Sequence, residues 1–131
     1  MRVRCVAELP DEAEAELLAG RYTPGQQAFS VRVGSEYVVY GIDLTERMPW
    51  IYIADEYEQI SPAPLCLFSV VDSRVPHVWE VHVSDEFRIS LGPACLWREG
   101  FIEDLLAREP ATMDEFRRLT RELVQLGKAA S

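Results

Sequence analysis

The sequence predicts an α+β domain: a curled antiparallel sheet of five to six strands with C-terminal helices packed on it. Two observations indicate this fold class. Hydrophobic residues recur with a period of two over residues 29–92 and with helical spacing over residues 99–127. The chain has 131 residues and no linker-like stretch, so we expect a single domain over residues 1–131. The alternation leaves open whether the sheet closes into an SH3-like barrel.

The residues before the sheet are predicted to form an edge strand and a short helix. Apolar and charged residues alternate over residues 1–9, which is typical of a strand. The stretch PDEAEAELLAG, residues 10–20, has a proline and acidic residues in its first turn and a glycine at its end. This arrangement indicates a helix.

The predicted sheet begins with SVRVGSEYVVYGIDL, residues 30–44, which turns at Gly34-Ser35. Its second half is rich in β-branched and aromatic residues, and Gly41 indicates a bulge or a bend. One side of this strand has uniformly large and mostly apolar side chains, so we expect it to face inward. This side is formed by Val38, Tyr40, Ile42 and Leu44. Further strands are predicted over residues 50–55, 65–71, 78–83 and 86–91, the last two joined by a turn at Ser84-Asp85.

Two amphipathic helices are predicted after the sheet. Residues 99–109 place their apolar side chains on one stripe, and Pro110 ends that helix. The second helix is predicted to begin at Thr112, because Glu115 follows it at the spacing of a capping box, and to end at Gly127. We expect both apolar stripes to pack on the sheet.

Acidic residues dominate the charged ones. The chain has 22 Asp and Glu against 13 Lys and Arg, a formal net charge of −9 and a pI near 4.7. Such a surface repels phosphate backbones, so we expect no nucleic-acid partner and a protein partner with a basic surface. The longest apolar runs, such as residues 65–68, are too short to span a bilayer. We therefore expect a cytoplasmic protein with no membrane partner.

No motif for catalysis, for a metal or for a cofactor occurs in the sequence. There is no C-x-x-C pair, no P-loop, no G-x-G-x-x-G and no G-x-S-x-G. His77 and His82 are five residues apart, so a strand would point them to opposite faces and away from a shared metal. A nucleophilic dyad of His77 with Cys66 or Cys95, oriented by Asp72, is the catalytic alternative. We expect no catalytic residue, no metal and no cofactor.

The candidate site is a partner-binding surface at the end of the third predicted strand. With Ile51 and Ile53 facing inward, the aromatic residues of this strand would be partly exposed beside a predicted acidic loop over residues 56–64. Acidic and aromatic side chains together suit an arginine-rich partner, although the same carboxylates would also suit acid/base chemistry or a hard cation. The candidate residues are Trp50, Tyr52, Asp55, Glu56, Tyr57 and Glu58.

Residues 29–83 resemble a group of small acidic bacterial proteins. The resemblance rests on VGSEYVVYGIDL, on MPWIYIADE and on SPAPLCLFSVVDSRVPHVWEV. The matching positions are Gly34, Tyr37, Val39, Tyr40, Gly41, Trp50, Asp55, Pro62, Ala63, Pro64, Leu65, Phe68, Val70, Val71, Asp72 and Trp79. Proteins of this group look like immunity proteins that accompany bacterial toxins. The resemblance therefore implies a function in binding and no catalytic residue.

These observations favour a non-enzymatic, immunity-like protein-binding module of a bacterial cytoplasm. The alternative is a small-molecule-binding barrel or a motif-free hydrolase that uses Asp55, Asp72 and His77 around a cavity. A structural oligomer is a third possibility. An enclosed pocket lined by those three residues would favour the second interpretation.

Overall fold

The computed structural model describes residues 1–18, 29–44, 47–54 and 60–130, without the side chains of residues 120 and 122–130. Within these ranges the chain has the predicted α+β fold, with an open antiparallel sheet of seven strands followed by helices. The strands are β1 Arg2–Cys5, β2 Glu36–Asp43, β3 Trp50–Ala54, β4 Ile60–Pro64, β5 Phe68–Asp72, β6 Trp79–Val83 and β7 Ile89–Pro93. The helices are α1 Glu12–Leu17, α2 Phe101–Leu106 and α3 Pro110–Ala130, with 3-10 turns at Leu65–Leu67 and Ala94–Trp97.

The sheet is organised around β2, whose two ends have different neighbours. The strand order is β4-β3-β2-β1-β5, while β7 pairs with the end of β2 at Ile42 and Asp43, and β6 pairs with β7. Because β1 lies between β2 and β5, the predicted edge position of the N-terminal strand is wrong. The sheet does not close into an SH3-like barrel, since β4, β5 and β6 each have one neighbour among the described strands.

The segment between β3 and β5 differs from the prediction. Ile60–Pro64, predicted as part of a loop, forms β4 and pairs with β3 over five residues. Two prolines are tolerated there because β4 lies at the edge of the sheet. A residue without an N–H can face away from β3 at this edge without the loss of a hydrogen bond between strands. The strand predicted from residue 65 begins at Phe68, because Leu65–Leu67 forms a 3-10 turn.

Both faces of the sheet centre are buried, each by its own cluster. The first cluster comprises Val3, Cys5, Tyr37, Val39, Ile51, Ile53, Ala63, Leu67 and Phe68. The second comprises Tyr40, Tyr52, Ile60, Leu96, Phe101, Leu105, Phe116 and Leu119. The inward face predicted for β2 is therefore half right: Tyr40 is buried, but Val39 on the opposite side is buried as well. The second cluster confirms that the C-terminal helices pack on the sheet.

A bulge in β2 brings the 3-10 turn Ala94–Trp97 close to the sheet. The register between β2 and β3 shifts between Val39 and Gly41, as the glycine predicts. A Cβ atom on Gly41 would lie 2.5 Å from Cδ2 of Leu96 and 2.9 Å from Cζ2 of Trp97. Only glycine leaves room for this approach.

The long helix α3 begins two residues before the predicted start. Pro110 is its first residue, and the N–H of Met113 donates to the carbonyl of Glu109 at 2.9 Å. Proline suits this position because the first N–H of a helix has no intrahelical partner. Thr112 thus lies inside the first turn and is buried, rather than capping the helix. Among the described residues no helix combines the length and the apolar composition needed to cross a bilayer.

Candidate interaction surface

The two aromatic residues of the predicted site are buried. Trp50 is 2% exposed and its ring meets Phe29 edge-to-face at 5.9 Å between centroids. Tyr52 is 9% exposed and its ring meets Trp97 at 5.5 Å in the same manner. The expectation that these side chains are partly exposed is therefore wrong.

The reason for their burial is the position of β3. This strand lies between β2 and β4 and has a core on each side: Ile51 and Ile53 belong to the first cluster and Tyr52 to the second. A strand with one solvated face would have exposed Tyr52. The sequence pattern predicts helices packed on the sheet but does not show that both of its faces are covered.

The acidic part of the predicted site lies outside the described residues. This part comprises Asp55, Glu56, Tyr57 and Glu58. The structure therefore does not bring these residues together with any other group, and their role stays a prediction.

The described groups of the catalytic alternative are poorly suited to catalysis. Burial raises the pKa of the Cys66 thiol to about 11 and also raises that of Cys95, whereas a nucleophile needs a lowered pKa. Hydrogen bonds from Arg74, one of them 2.7 Å long, hold the pKa of Asp72 well below its usual range. A carboxylate with so low a pKa is a weak general base. Among the described residues, no three His, Cys, Asp or Glu side chains are grouped as metal ligands.

An apolar surface on the β6–β7 hairpin was not anticipated from the sequence. Val83 lies opposite Ile89, and Val81 lies opposite Leu91, so these four side chains share one face of the hairpin. Val81 is 65% exposed, and Val83 and Ile89 are exposed as well. We call the exposed set Val81, Val83, Phe87 and Ile89 the hairpin surface.

The hairpin surface continues the face that carries the first core cluster. Trp79, two residues before Val81, packs against that cluster, as does Ile42, which lies opposite Leu91 in the β2–β7 pair. The face is therefore covered at one end and uncovered at the other. Contiguous exposed apolar side chains of this kind mark interaction sites in soluble proteins.

Phe87 stands at the end of the hairpin in an unusual backbone conformation. It is 86% exposed and has a φ of 62°, in the left-handed region. The loop is longer than the predicted two-residue turn: the N–H of Phe87 donates to the carbonyl of Ser84 at 2.9 Å, and the N–H of Ser84 donates to the carbonyl of Arg88 at 3.0 Å. Hairpin loops of this kind usually have glycine at the left-handed position.

Charged side chains border the hairpin surface. Glu86 and Arg88, on either side of Phe87, form an exposed ion pair of 3.0 Å. Glu80 and His82 lie on the other face of β6, opposite Gly92 and Ser90. The arrangement is an apolar surface with a polar rim, as in protein interfaces.

One sequence signal points to this surface. The stretch SDEFR, residues 84–88, joins two strands without a glycine or an asparagine. Such a turn predicts either a longer loop or a strained residue. The exposure of the valines had no sequence signal, because alternating valines are equally typical of a strand covered by a core.

Comparisons with known proteins give no further identification. The sequence matches no family model, no curated protein sequence and no solved structure. The resemblance to immunity proteins therefore stays a prediction.

Proposed function

We propose that this chain is a non-enzymatic protein-binding module whose hairpin surface contacts an apolar region of another protein. The observation that carries this proposal is Phe87. A large aromatic side chain is almost fully exposed at a position where its backbone conformation is unfavourable. Strained residues cluster at functional sites, and exposed aromatics are frequent anchors of protein interfaces.

The charge of the chain supports a partner with a basic surface. A net charge of −9 steers positively charged proteins toward the molecule during their encounter. The acidic residues Asp55, Glu56 and Glu58 belong to this proposal as a second, electrostatic contact. Trp50 and Tyr52 do not, because they are buried. We extend the proposal to an immunity-like role in a bacterial cytoplasm on the strength of the sequence resemblance.

The test is capture of partners from a lysate of the native host on the immobilised chain. We expect a protein that wild type retains and that Phe87→Gly and Val81→Thr lose, since both variants remove apolar area from the hairpin surface. Charge reversal at Glu56 and Glu58 should weaken the same complex, and the loss should be smaller in high salt. Near-ultraviolet circular dichroism of each variant checks that the domain is folded.

Leu106 supplies a matched control, because it is an exposed leucine on α2, away from the hairpin. Leu106→Thr should retain the captured protein. If every captured protein is retained equally by wild type and by Phe87→Gly, the proposal is wrong.

A further inference from the structure

The outer edge of β6 is open and is not blocked by proline. Among the described strands β6 pairs with β7 alone. Of the other two edge strands described, β4 contains Pro62 and Pro64, which interrupt further pairing, and β5 has Asp72 as its one charged residue, so it offers no complementary charges for pairing with itself. β6 has the sequence WEVHV, in which Glu80, Val81, His82 and Val83 are exposed. Each residue has an N–H, and that of Trp79 donates to the carbonyl of Pro76 at 3.1 Å.

The backbone groups that point away from β7 can be assigned. Since the N–H of Ser84 bonds to Arg88, alternation in an antiparallel ladder makes His82 and Glu80 the next residues bonded to β7. Pro93, which has no N–H, accordingly lies opposite Trp79, a position that is not hydrogen-bonded across the pair. The N–H and C=O groups of Val81 and Val83 therefore point outward.

We propose that a second copy of this chain pairs with this edge, β6 against β6, antiparallel and centred on Val81. In that register Val81 lies opposite Val81 of the other copy and exchanges two hydrogen bonds with it. Trp79 lies opposite Val83, so apolar side chains meet on one face. On the other face Glu80 lies opposite His82.

Charge complementarity selects a second copy in this register. The Glu80 carboxylate accepts a hydrogen bond from a His82 imidazole N–H, and the two-fold symmetry makes this contact twice. Within one copy these side chains face Gly92 and Ser90, so the pairing uses groups that have no charged residue opposite them on β7. Centring on His82 instead would place His82 against itself and Glu80 against Ser84, without complementary charges.

The dimer would join two sheets into one and place both hairpin surfaces on the same side. This follows because a two-fold axis perpendicular to a sheet keeps each face on its own side. The inference does not depend on the proposed function, although Val81 and Val83 belong to both, because the dimer is held by the outward backbone groups of β6 and by Glu80 and His82, whereas Phe87 carries the proposed contact.

Sedimentation equilibrium over a series of protein concentrations tests the dimer. We expect the apparent mass of wild type to rise toward twice the 14.9 kDa of the chain. His82→Glu places two carboxylates opposite each other at both contacts, and should weaken dimerisation about tenfold or more. The double variant Glu80→His/His82→Glu has the wild-type composition, exchanges the two partners and should restore the dimer.

Further variants separate the edge from the hairpin surface. Val81→Pro removes the outward N–H together with the valine side chain but keeps the Glu80 and His82 N–H groups that bond to β7, so it should abolish the dimer; Val81→Thr, which keeps the N–H, should still dimerise. Phe87→Gly should dimerise like wild type, even though it loses a captured partner. A monomeric wild type at all concentrations, or a double variant that dimerises no better than His82→Glu, would overturn the proposal.

Discussion

Phe87 combines an apolar ring that gains no burial on folding with a strained backbone. Its ring is exposed to water, and its backbone lies in the left-handed region, which costs an L-residue roughly 1–2 kcal/mol relative to the right-handed one. The two backbone hydrogen bonds of this loop do not require a phenylalanine, because glycine would form them without the strain. This is why we place the functional contact at this residue.

Phe87→Gly should stabilise the domain. Glycine adopts a positive φ without strain, so we expect the free energy of unfolding to rise by about 1 kcal/mol, net of the larger entropy of glycine in the unfolded chain. Urea unfolding followed by tryptophan fluorescence measures the change. Phe87→Ala is the control, because it removes the ring but keeps the strain, and should give no comparable gain. Equal stabilisation by both variants would show that the ring, not the backbone, is the unfavourable part.

Gly41→Ala should destabilise the domain, because the structure leaves no room for a side chain at this position. The new Cβ would meet the side chains of Leu96 and Trp97 at less than 3 Å, so the 3-10 turn must move away from the sheet. Overpacking of this kind costs about 1–3 kcal/mol. In a double-mutant cycle with Leu96→Ala the two losses should be less than additive, because the second substitution removes the nearest clashing atom. Strict additivity would contradict the close approach.

At the level of elements, an ion pair joins the start of α2 to α3. Arg98 donates two hydrogen bonds to the Glu115 carboxylate, at 3.1 and 2.7 Å, and its guanidinium lies 5.1 Å from the Phe101 ring centroid. These bonds from Arg98 lower the pKa of Glu115 from its ordinary value of 4.5. The contact orients the two helices whose apolar residues build the second core.

The contribution of this ion pair should disappear in acid. Because the folded-state pKa of Glu115 is lowered, the carboxylate stabilises the fold above pH 4.5, and this stability is lost as the pH falls through the folded-state value. We expect wild type to melt at a higher temperature than Glu115→Gln at neutral pH and the two to converge below pH 4.5. Glu99→Gln, at an exposed glutamate near Arg98, is the control and should melt like wild type. A difference that persists in strong acid would contradict this account.

Strands and helices could be predicted from the sequence where the pattern that defines them lies within a few neighbouring residues. The strand over residues 36–43, the bulge at Gly41 and the apolar stripes of the C-terminal helices were predicted correctly, because each depends on neighbours within a few residues. Residues 30–33, predicted to begin this strand, form no strand. The strand β4 was missed because its prolines are acceptable only at an edge. The burial of Trp50 depends on which strands flank β3, which is a tertiary property.

For the whole molecule, the main departure from the prediction is that both faces of the sheet centre are covered. A sheet that is covered by a core on one face only has its other face in water. The prediction that Tyr52 is partly exposed assumed such a sheet. With two cores the sheet centre is covered on both faces, and exposed apolar side chains lie on the hairpin beyond it. The candidate site could not be located without this arrangement, because the sequence does not show which strands are covered.

The most direct test of the central claim is site-specific photo-crosslinking in the native host. A photoreactive phenylalanine analogue at position 87 would report what touches the hairpin surface, and the same group at position 106, an exposed leucine in wild type, would report random contacts. We predict a discrete adduct with another protein from position 87 and none from position 106. No adduct at position 87, or the same adducts at both positions, would contradict the assignment of the hairpin surface as a binding site.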